Sequence, residues 1–224
     1  MWSGRPEFGD RADAGRRLGQ ALARFAKAEP LVLALPRGGV PVAFEVARVL
    51  HAPLDLLLVR KIGAPGHAEL GLGAVVDGDD PQIVLNDPVI AEIGVPDSYI
   101  EAETARQLEE IERRRRSYLG DRRPMPAAGR TVIVVDDGIA TGGTVRAALQ
   151  ALRRTRAART VLAVPVAPKD VLAMLRPEAD EIVCLATPEP FLAVGLHYRD
   201  FAQTSDAEVV RLLERSRSRS TSVH

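Results

Sequence analysis

The sequence predicts an α/β protein with a doubly wound, mainly parallel sheet of about five core strands and with helices on both faces. Short apolar runs alternate along the chain with longer segments whose apolar residues recur at helical spacing. This alternation is typical of strand–helix–strand units, which build parallel sheets. The chain has 224 residues, of which 46% are hydrophobic and 27% charged, as expected for one globular core.

The bounds of the predicted elements come from apolar periodicity and from Gly and Pro breaks. Strands are predicted at residues 31–35, 54–59, 132–135, 161–166 and 182–185, and helices at 10–28, 40–50, 86–94, 97–119, 144–157, 170–175 and 206–215. Asp97 is expected to cap the helix that it begins. Apolar runs at 72–76 and 82–85 predict a hairpin around the acidic turn 77–80.

A single domain is predicted over residues 1–215, with a mostly helical insertion at about 82–126. Residues 63–73 contain four glycines and one proline, which predicts a mobile loop. The tail 216–224 is of low complexity and is expected to be disordered. Residues 113–116 are four consecutive arginines, and the glutamates beside them favour a solvated helix end over an anion site.

Composition excludes several classes of protein and site. Lys plus Arg and Asp plus Glu are equal at 30 each, so the net charge gives no general attraction to nucleic acid or membranes. Cys184, the single cysteine, excludes an intrachain disulfide and a cysteine-ligated zinc site, and an inert core role is expected for it. The four histidines lack metal-ligand spacing. There is no signal-peptide pattern and no apolar run of membrane length, so a cytoplasmic location is expected.

The segment 131–144 carries the clearest chemical pattern. An apolar strand runs directly into Asp136 and Asp137, and Thr144 opens a helix shortly afterwards. The small residues between them allow backbone N–H groups to approach a ligand, and the helix start adds the positive end of its dipole. The residues expected to form this phosphate cradle are Gly138, Ala140, Thr141, Gly142, Gly143 and Thr144.

Two adjacent carboxylates would repel a phosphate held nearby unless another group lay between the carboxylates and the phosphate. A ribose 5-phosphate fits, because its phosphate would occupy the cradle while its ring hydroxyls donate to Asp136 and Asp137. The competing interpretation is a plain strand–turn–helix connection with polar surface residues. The P-loop motif, the dinucleotide fingerprint and the Gly-x-Ser-x-Gly elbow are all missing from the sequence.

The stretch 134–144, which reads Val-Val-Asp-Asp-Gly-Ile-Ala-Thr-Gly-Gly-Thr, resembles the signature of type I phosphoribosyltransferases. The order of strands and helices from 31 to 201 is also similar to that family. The resemblance implies that Asp136 and Asp137 hold the ribose hydroxyls of 5-phosphoribosyl-1-pyrophosphate (PRPP), and that residues 140–144 hold its 5-phosphate. It further implies a Mg²⁺ ion that contacts Asp136 and Asp137 largely through water, and a homodimer.

The same resemblance suggests how pyrophosphate is bound. The turn after the first strand contains Arg37, Gly38 and Gly39, and in this family such a turn binds pyrophosphate, often through a non-proline cis peptide. A structural turn with an exposed arginine is the alternative. Lys61, at the end of the predicted second strand, is a further candidate for a pyrophosphate contact.

Two segments correspond by position to the lid and the hood that cover the active site in the family that the sequence resembles. The loop 63–73 would be the lid, and its His67 and Glu69 are candidate acid–base groups, although ordinary loop polarity is the more frequent explanation. Residues 187–203 would be the hood over the nucleobase. Phe191 and Tyr198 are the candidates there for stacking on a heterocycle, with packing under a loop as the alternative.

These expectations describe an enzyme that transfers the 5-phosphoribosyl group from PRPP to a nitrogen of a nucleobase or related heterocycle and releases pyrophosphate. Its candidate catalytic residues are Asp136, Asp137, Arg37 and Lys61, and its expected partners are PRPP and a base or nucleotide product. One alternative is a non-enzymatic regulator that binds PRPP or a nucleotide and needs only the cradle. Another is a hydrolase of a phosphorylated sugar or nucleotide, which would need a water-activating group.

Overall fold

The computed structural model describes residues 6–78 and 80–221, apart from the side chains of residues 67–70 and 220–221. In chain order the described elements are α1 (Arg11–Ala21), a 3₁₀ helix (Ala23–Ala28), β1 (Leu31–Ala34), α2 (Gly39–Leu50), β2 (Leu54–Leu56), β3 (Val59–Ala64), β4 (His67–Val76), β5 (Gln82–Leu85), α3 (Asp87–Ile93), α4 (Asp97–Leu119), β6 (Thr131–Val135), α5 (Gly143–Arg154), β7 (Arg159–Val166), α6 (Lys169–Leu175), a 3₁₀ helix (Arg176–Glu178), β8 (Glu181–Ala186), a 3₁₀ helix (Val194–His197) and α7 (Asp206–Thr221).

Within these described residues, five strands form one parallel sheet in the order β2-β1-β6-β7-β8, and β3, β4 and β5 form a separate antiparallel sheet. The predicted α/β class with a doubly wound parallel sheet is therefore confirmed, and so is the hairpin of β4 and β5. No helix in the described part of the chain is both long enough and apolar enough to cross a membrane.

The parallel sheet is covered on both faces because successive side chains of a strand point to opposite sides. Ile133 and Val161 pack with residues of α1, α2 and α7 on one face. Val134 and Leu162 pack with residues of α5 on the other. Both faces exclude water, so the carboxyl ends of the strands are fixed supports for the loops that follow them.

The prediction that residues 63–73 form a loop is wrong, because β3 and β4 form an antiparallel hairpin through this segment. Gly66 has a φ of 72° in the turn. A Cβ atom on Gly73 would lie 2.3 Å from the backbone oxygen of Val84, so this glycine allows close approach between strands. Glycine serves loops and closely packed strands alike, and composition alone does not separate the two.

The predicted strand 54–59 is divided between the two sheets. β2 covers its first half, and β3 begins at its end. The connecting residues Leu57 and Leu58 are buried, so the apolar run continues through the turn and hides it. Lys61 therefore lies on the antiparallel sheet and not at the end of a parallel strand.

The prediction of a disordered tail at 216–224 is wrong for its first six residues. Helix α7 continues to Thr221, and Ser216 is 9% exposed because it extends the buried stripe of this helix. Residues 222–224 lie outside the described residues. At the start of α4 the predicted cap is also wrong: Pro96 occupies the N-cap position and Asp97 is the first helical residue.

The arginine run at 113–116 is a solvated helix face with one exception. Its other members pair with glutamates of the same helix. Arg115 points inward instead, is 8% exposed, and donates to the buried carboxylates of Asp55 and Asp77. This network joins α4 to β2 and to the end of β4, so it connects the insertion to both sheets.

Candidate active site

Two turns of the chain meet at the carboxyl edge of the parallel sheet. The turn 36–39 follows β1, and the signature loop follows β6, its neighbour in the sheet. A Cβ atom built on Gly38 would lie 2.0 Å from Asp137 Oδ2, and one on Gly39 would lie 2.8 Å from Val135 O. Glycine at these two positions lets the first turn lie directly against the aspartates of the second.

Asp137 is held from two sides. Arg11 Nε, on α1, donates to Asp137 Oδ2 over 2.7 Å, and the two side chains are only 11% and 14% exposed. The Tyr198 hydroxyl donates to the backbone oxygen of Asp137. Burial raises the pKa of Tyr198, so its hydroxyl stays protonated and remains a donor. Both the carboxylate and the backbone of Asp137 are thus fixed.

Asp136 lies beside this fixed carboxylate. Its Oδ1 accepts the backbone N–H of Asp137 over 2.8 Å. Burial, and after it the charge of Asp137, raise the pKa of Asp136 well above its usual range. Donor hydroxyls or a cation at these two carboxylates would relieve the repulsion, so the pair suits the hydroxyl edge of a sugar.

The loop after Asp137 places backbone N–H groups at the start of α5. Gly142 is the N-cap residue with a φ of 78°, and its carbonyl accepts the N–H of Arg146 over 2.8 Å. The N–H of Ile139 donates to Val166 O over 3.0 Å, which anchors the loop to β7. The exposed residues of this loop are Ala140, Thr141, Gly143 and Thr144. Since the first N–H groups of a helix have no partner within it, this start can accept an anion.

Arg37 lies at the same edge, after a cis peptide bond between Pro36 and Arg37. Its Nη1 is 3.6 Å from Asp206 Oδ1 at the start of α7, and the Tyr118 hydroxyl donates to that same oxygen over 2.6 Å. Burial, followed by the hydrogen bond to Asp206, raises the pKa of Tyr118 to about 12. The Arg37 side chain is 39% exposed, so its guanidinium is accessible to a ligand.

Lys61 reaches the site from the antiparallel sheet. It lines a cavity of about 270 Å³ between that sheet and α5, and Gly143 and Thr144 line the same cavity. The adjacent Arg60 is directed elsewhere, because its Nε donates to Gln107 of α4 over 2.9 Å. This is the alternation expected along a strand. The structure thus brings the predicted cation Lys61 to the predicted cradle.

The hood segment 187–203 borders another cavity, of about 610 Å³, which Thr141 and Phe191 line together. Lys169 and Glu189, whose charged atoms are 3.1 Å apart, supply charged groups to its wall. The cavity therefore joins the signature loop to one of the two predicted base-binding residues. The side chains of His67 and Glu69, the predicted acid–base groups, lie outside the described residues.

Tyr198, the other predicted base-binding residue, has a different environment. It is 4% exposed, and its ring lies against Phe8 and Phe201 with centroid distances of 5.4 and 5.0 Å. This packing does not favour stacking on a heterocycle. Its hydroxyl instead supports the backbone of Asp137, so the base-binding role stays a prediction for this residue.

Arg11 is the residue of this site that the sequence did not indicate. It is 126 positions away from Asp137 and lies in the first turn of a helix of ordinary amphipathic spacing. No local motif distinguishes it from the other arginines of α1. Only the path of α1 across the edge of the sheet brings it to the aspartates.

Asp136 and Asp137 also suit a hydrated Mg²⁺ ion. Among the described side chains, no group of three or more His, Cys, Asp or Glu is placed to hold a metal ion. Mg²⁺ usually keeps several of its waters and takes one or two carboxylates together with the phosphates of its substrate. The repulsion between the two aspartates would fall with such a cation beside them, so these residues fit the ion.

Comparisons with known proteins agree with this geometry. A family model described as "Phosphoribosyl transferase domain" matches residues 11–188. The chain is 50% identical over 209 residues to the Mycobacterium tuberculosis protein called "Putative phosphoribosyl transferase Rv0571c". The match covers 93% of this chain and 47% of that protein. A second Mycobacterium tuberculosis protein, from strain CDC 1551, matches to the same extent, so the chain spans about half the length of the curated relatives it matches.

A solved structure shares the whole fold. The crystal structure of TT1426 from Thermus thermophilus superposes with a TM-score of 0.82 and 42% sequence identity. The match covers 93% of this chain and 98% of that one. The family model matches well over half of the residues of the present chain, so the chain belongs to the phosphoribosyl transferase family.

Proposed function

We propose that this chain binds PRPP and, with Mg²⁺, transfers its 5-phosphoribosyl group to a nitrogen of a heterocyclic acceptor. The observation that carries the proposal is the direct contact of the turn 36–39 with Asp137, just before the open start of α5. The three sites lie in the order in which PRPP carries its groups. Pyrophosphate would occupy the turn, the ribose hydroxyls would meet the two aspartates, and the 5-phosphate would occupy the helix start.

The pyrophosphate end would be held by cations and amides. Arg37 offers a guanidinium fork, and Gly38 and Gly39 bring backbone N–H groups close to phosphate oxygens. Lys61, which shares a cavity with Gly143 and Thr144 at the start of α5, would act on the 5-phosphate end instead. Arg37 and the amides of the turn would stabilise the negative charge that collects on the leaving pyrophosphate. Mg²⁺, when bound, supplies further neutralisation of the same oxygens.

The ribose end would be oriented by Asp136 and Asp137. During transfer, the bond from ribose C1 to the pyrophosphate oxygen breaks with both electrons on the oxygen, and the lone pair of the acceptor nitrogen forms the new bond. Positive charge develops on the sugar ring in this step, as in other glycosyl transfers. The two carboxylates would accept hydrogen bonds from the ring hydroxyls and offset that charge.

The 5-phosphate would be held by the loop at the start of α5. Residues of this loop that would donate backbone N–H groups or hydroxyls are Gly138, Ala140, Thr141, Gly142, Gly143 and Thr144. The cavity beside Thr141 and Phe191 would then receive the acceptor, since it opens next to the same loop. Its volume of about 610 Å³ is in the range of sites for small heterocycles.

Calorimetry with PRPP and Mg²⁺ tests the binding step. The native chain should bind, and the double variant Asp136→Ala/Asp137→Ala should lose at least about a hundredfold in affinity. Circular dichroism should show the same fold for both proteins. The matched control is Glu109→Ala/Glu112→Ala, which removes two carboxylates of α4 and should bind as the native chain does. Undiminished binding by the aspartate double variant would refute the proposed site.

A pyrophosphate-release assay tests the transfer step. Purine and pyrimidine bases, offered one at a time with PRPP and Mg²⁺, should include at least one that triggers release. Binding of PRPP without release for any base would support a regulator instead of an enzyme. Release of ribose 5-phosphate without any acceptor would indicate a hydrolase.

A further inference from the structure

We propose that Arg11 is a positioning residue of the ribose site, which fixes Asp137 Oδ2 and leaves Oδ1 of the same carboxylate to accept a ribose hydroxyl. The inference rests on the proposed function and adds a residue to it. Its basis is the largely buried contact between Arg11 and Asp137, which links the first described helix to the signature loop.

The Arg11 side chain is fixed by three contacts. Its Nε donates to Asp137 Oδ2 over 2.7 Å, and its Nη1 donates to the backbone oxygen of Ala202 over 2.7 Å. Its guanidinium carbon lies 3.8 Å from the centroid of the Phe201 ring. A planar guanidinium with one face on a ring and two edges hydrogen-bonded has little freedom to move. An arginine held in this way sets the orientation of the carboxylate that it contacts.

The backbone that carries Arg11 is itself joined to the hood. The N–H of Phe8 donates to His197 O over 3.0 Å, and the N–H of Arg199 donates to Phe8 O over 2.9 Å. Asp10 caps α1, because its side chain accepts the N–H of Asp13 over 2.6 Å. The start of α1 and the hood therefore form one support, and Arg11 extends from it to Asp137.

The carboxylate of Asp137 needs such a support because Tyr198 holds only the backbone oxygen of this residue. Gly38 lies against its carboxylate, and Gly138 follows it in the chain, so neither contributes a side chain. The Asp136 carboxyl is adjacent, and negative charge on both groups would be repulsive. The Arg11 guanidinium opposes that repulsion and selects one orientation of Asp137. Without it, the two carboxylates would be poorly ordered for a sugar but freer to share a cation.

Calorimetry on Arg11→Met tests this role with three probes in separate titrations: ribose 5-phosphate, inorganic phosphate and Mg²⁺ alone. Ribose 5-phosphate should bind about tenfold more weakly than to the native chain, since one ordered acceptor is lost. Inorganic phosphate should bind as to the native chain, because the cradle is untouched. Mg²⁺ alone should bind several-fold more tightly, because the guanidinium no longer competes for Asp137.

The matched control is Arg17→Met. Arg17 lies on the same helix, its guanidinium carbon is 4.6 Å from the Phe8 ring centroid, and its Nη1 donates to Glu7 O. The Arg17→Met variant should bind all three probes as the native chain does. Arg11→Lys keeps the charge but lacks the fork, so its affinity for ribose 5-phosphate should lie between those of the native chain and Arg11→Met.

Two results would overturn the inference while the proposed function stands. One is native affinity of Arg11→Met for ribose 5-phosphate, and the other is an equal loss for inorganic phosphate, which would indicate general damage to the site. If circular dichroism shows that Arg11→Met is unfolded, Arg11→Lys decides, and native ribose 5-phosphate affinity in that variant overturns the role. If the native chain binds no ribose 5-phosphate, the proposed function fails together with this inference.

Discussion

The carboxylate of Asp137 rests on the backbone of Gly38, so that a Cβ atom at position 38 would lie 2.0 Å from Oδ2. Arg11 holds the same oxygen from the other side. The carboxylate therefore has no room to move away from a side chain at position 38. This contact makes the glycine of the pyrophosphate turn a requirement of the ribose site as well.

The substitution Gly38→Ala should weaken binding of both ribose 5-phosphate and pyrophosphate by about tenfold or more, because the methyl group displaces Asp137 and the turn together. The measurement is calorimetry with each ligand. Gly78→Ala is the control, since a Cβ atom there meets no described atom closer than 3.7 Å and should leave both affinities unchanged. Native binding by Gly38→Ala would show that the turn and the aspartates are not one site.

A second prediction concerns stability and the buried network of Arg115. Arg115→Met should lower the free energy of unfolding by about 3–5 kcal/mol, because it leaves the buried carboxylates of Asp55 and Asp77 without their cation. Denaturant unfolding measures the loss. Arg116→Met, whose pair with Glu112 is exposed, should change the midpoint little. Equal effects of the two substitutions would contradict the assignment of Arg115 as a structural cation.

The loss of stability in Arg115→Met should depend on pH, and the sign of this dependence follows from the pKa of Asp77. Burial raises the pKa of Asp77 above its usual range even with Arg115 beside it. The folded chain then keeps the Asp77 proton to higher pH than the unfolded chain, so the contribution of Asp77 to stability falls as pH rises between the two pKa values. Removing Arg115 should raise the pKa of Asp77 in the folded chain further, because Arg115 lowers it. The pH interval over which stability falls should therefore extend upward. Unfolding of Arg115→Met at acidic and at neutral pH should therefore show the smaller loss at acidic pH, and the opposite order would refute the argument.

The sequence predicted the parallel sheet and the signature loop because both depend on local patterns. An apolar strand, two acids and a glycine-rich helix start are contiguous in the chain, and the structure places them as expected at residues 131–144. The antiparallel hairpin of β3 and β4 was missed for a physical reason. Glycines such as Gly73 permit close strand packing, and the same residue type marks loops.

Contacts between distant segments were beyond the reach of sequence patterns. Arg11 and Asp137 are 126 residues apart, and Arg115 and Asp55 are 60 residues apart. Each arginine belongs to a helix rich in other arginines, so spacing gave no reason to single it out. Such pairs depend on how helices lie across the sheet edge, which periodicity does not encode.

A third prediction follows from the contact of Arg37 with Asp206. Asp206→Asn should raise the affinity for pyrophosphate with Mg²⁺ by about two- to fivefold, because a carboxylate 3.6 Å away no longer competes for the guanidinium. Calorimetry with pyrophosphate measures the gain. Tyr118→Phe removes the hydroxyl that donates to the same oxygen but keeps the charge, and it should leave the affinity nearly unchanged. A lower affinity in Asp206→Asn would mean that Asp206 positions Arg37 for the ligand.

The last prediction separates two neighbouring cations on β3. Lys61→Met should weaken PRPP binding by about tenfold, because Lys61 shares a cavity with Gly143 and Thr144 at the start of α5. Arg60→Met should leave it unchanged, since Arg60 faces Gln107 on the other side of the strand. Calorimetry with PRPP and Mg²⁺ compares the two, and circular dichroism checks that each variant folds. The cavity would lose its assigned role if Arg60→Met weakened binding and Lys61→Met did not. Ribose 5-phosphate and pyrophosphate, titrated separately into Lys61→Met, then show which end of the donor the ammonium group contacts.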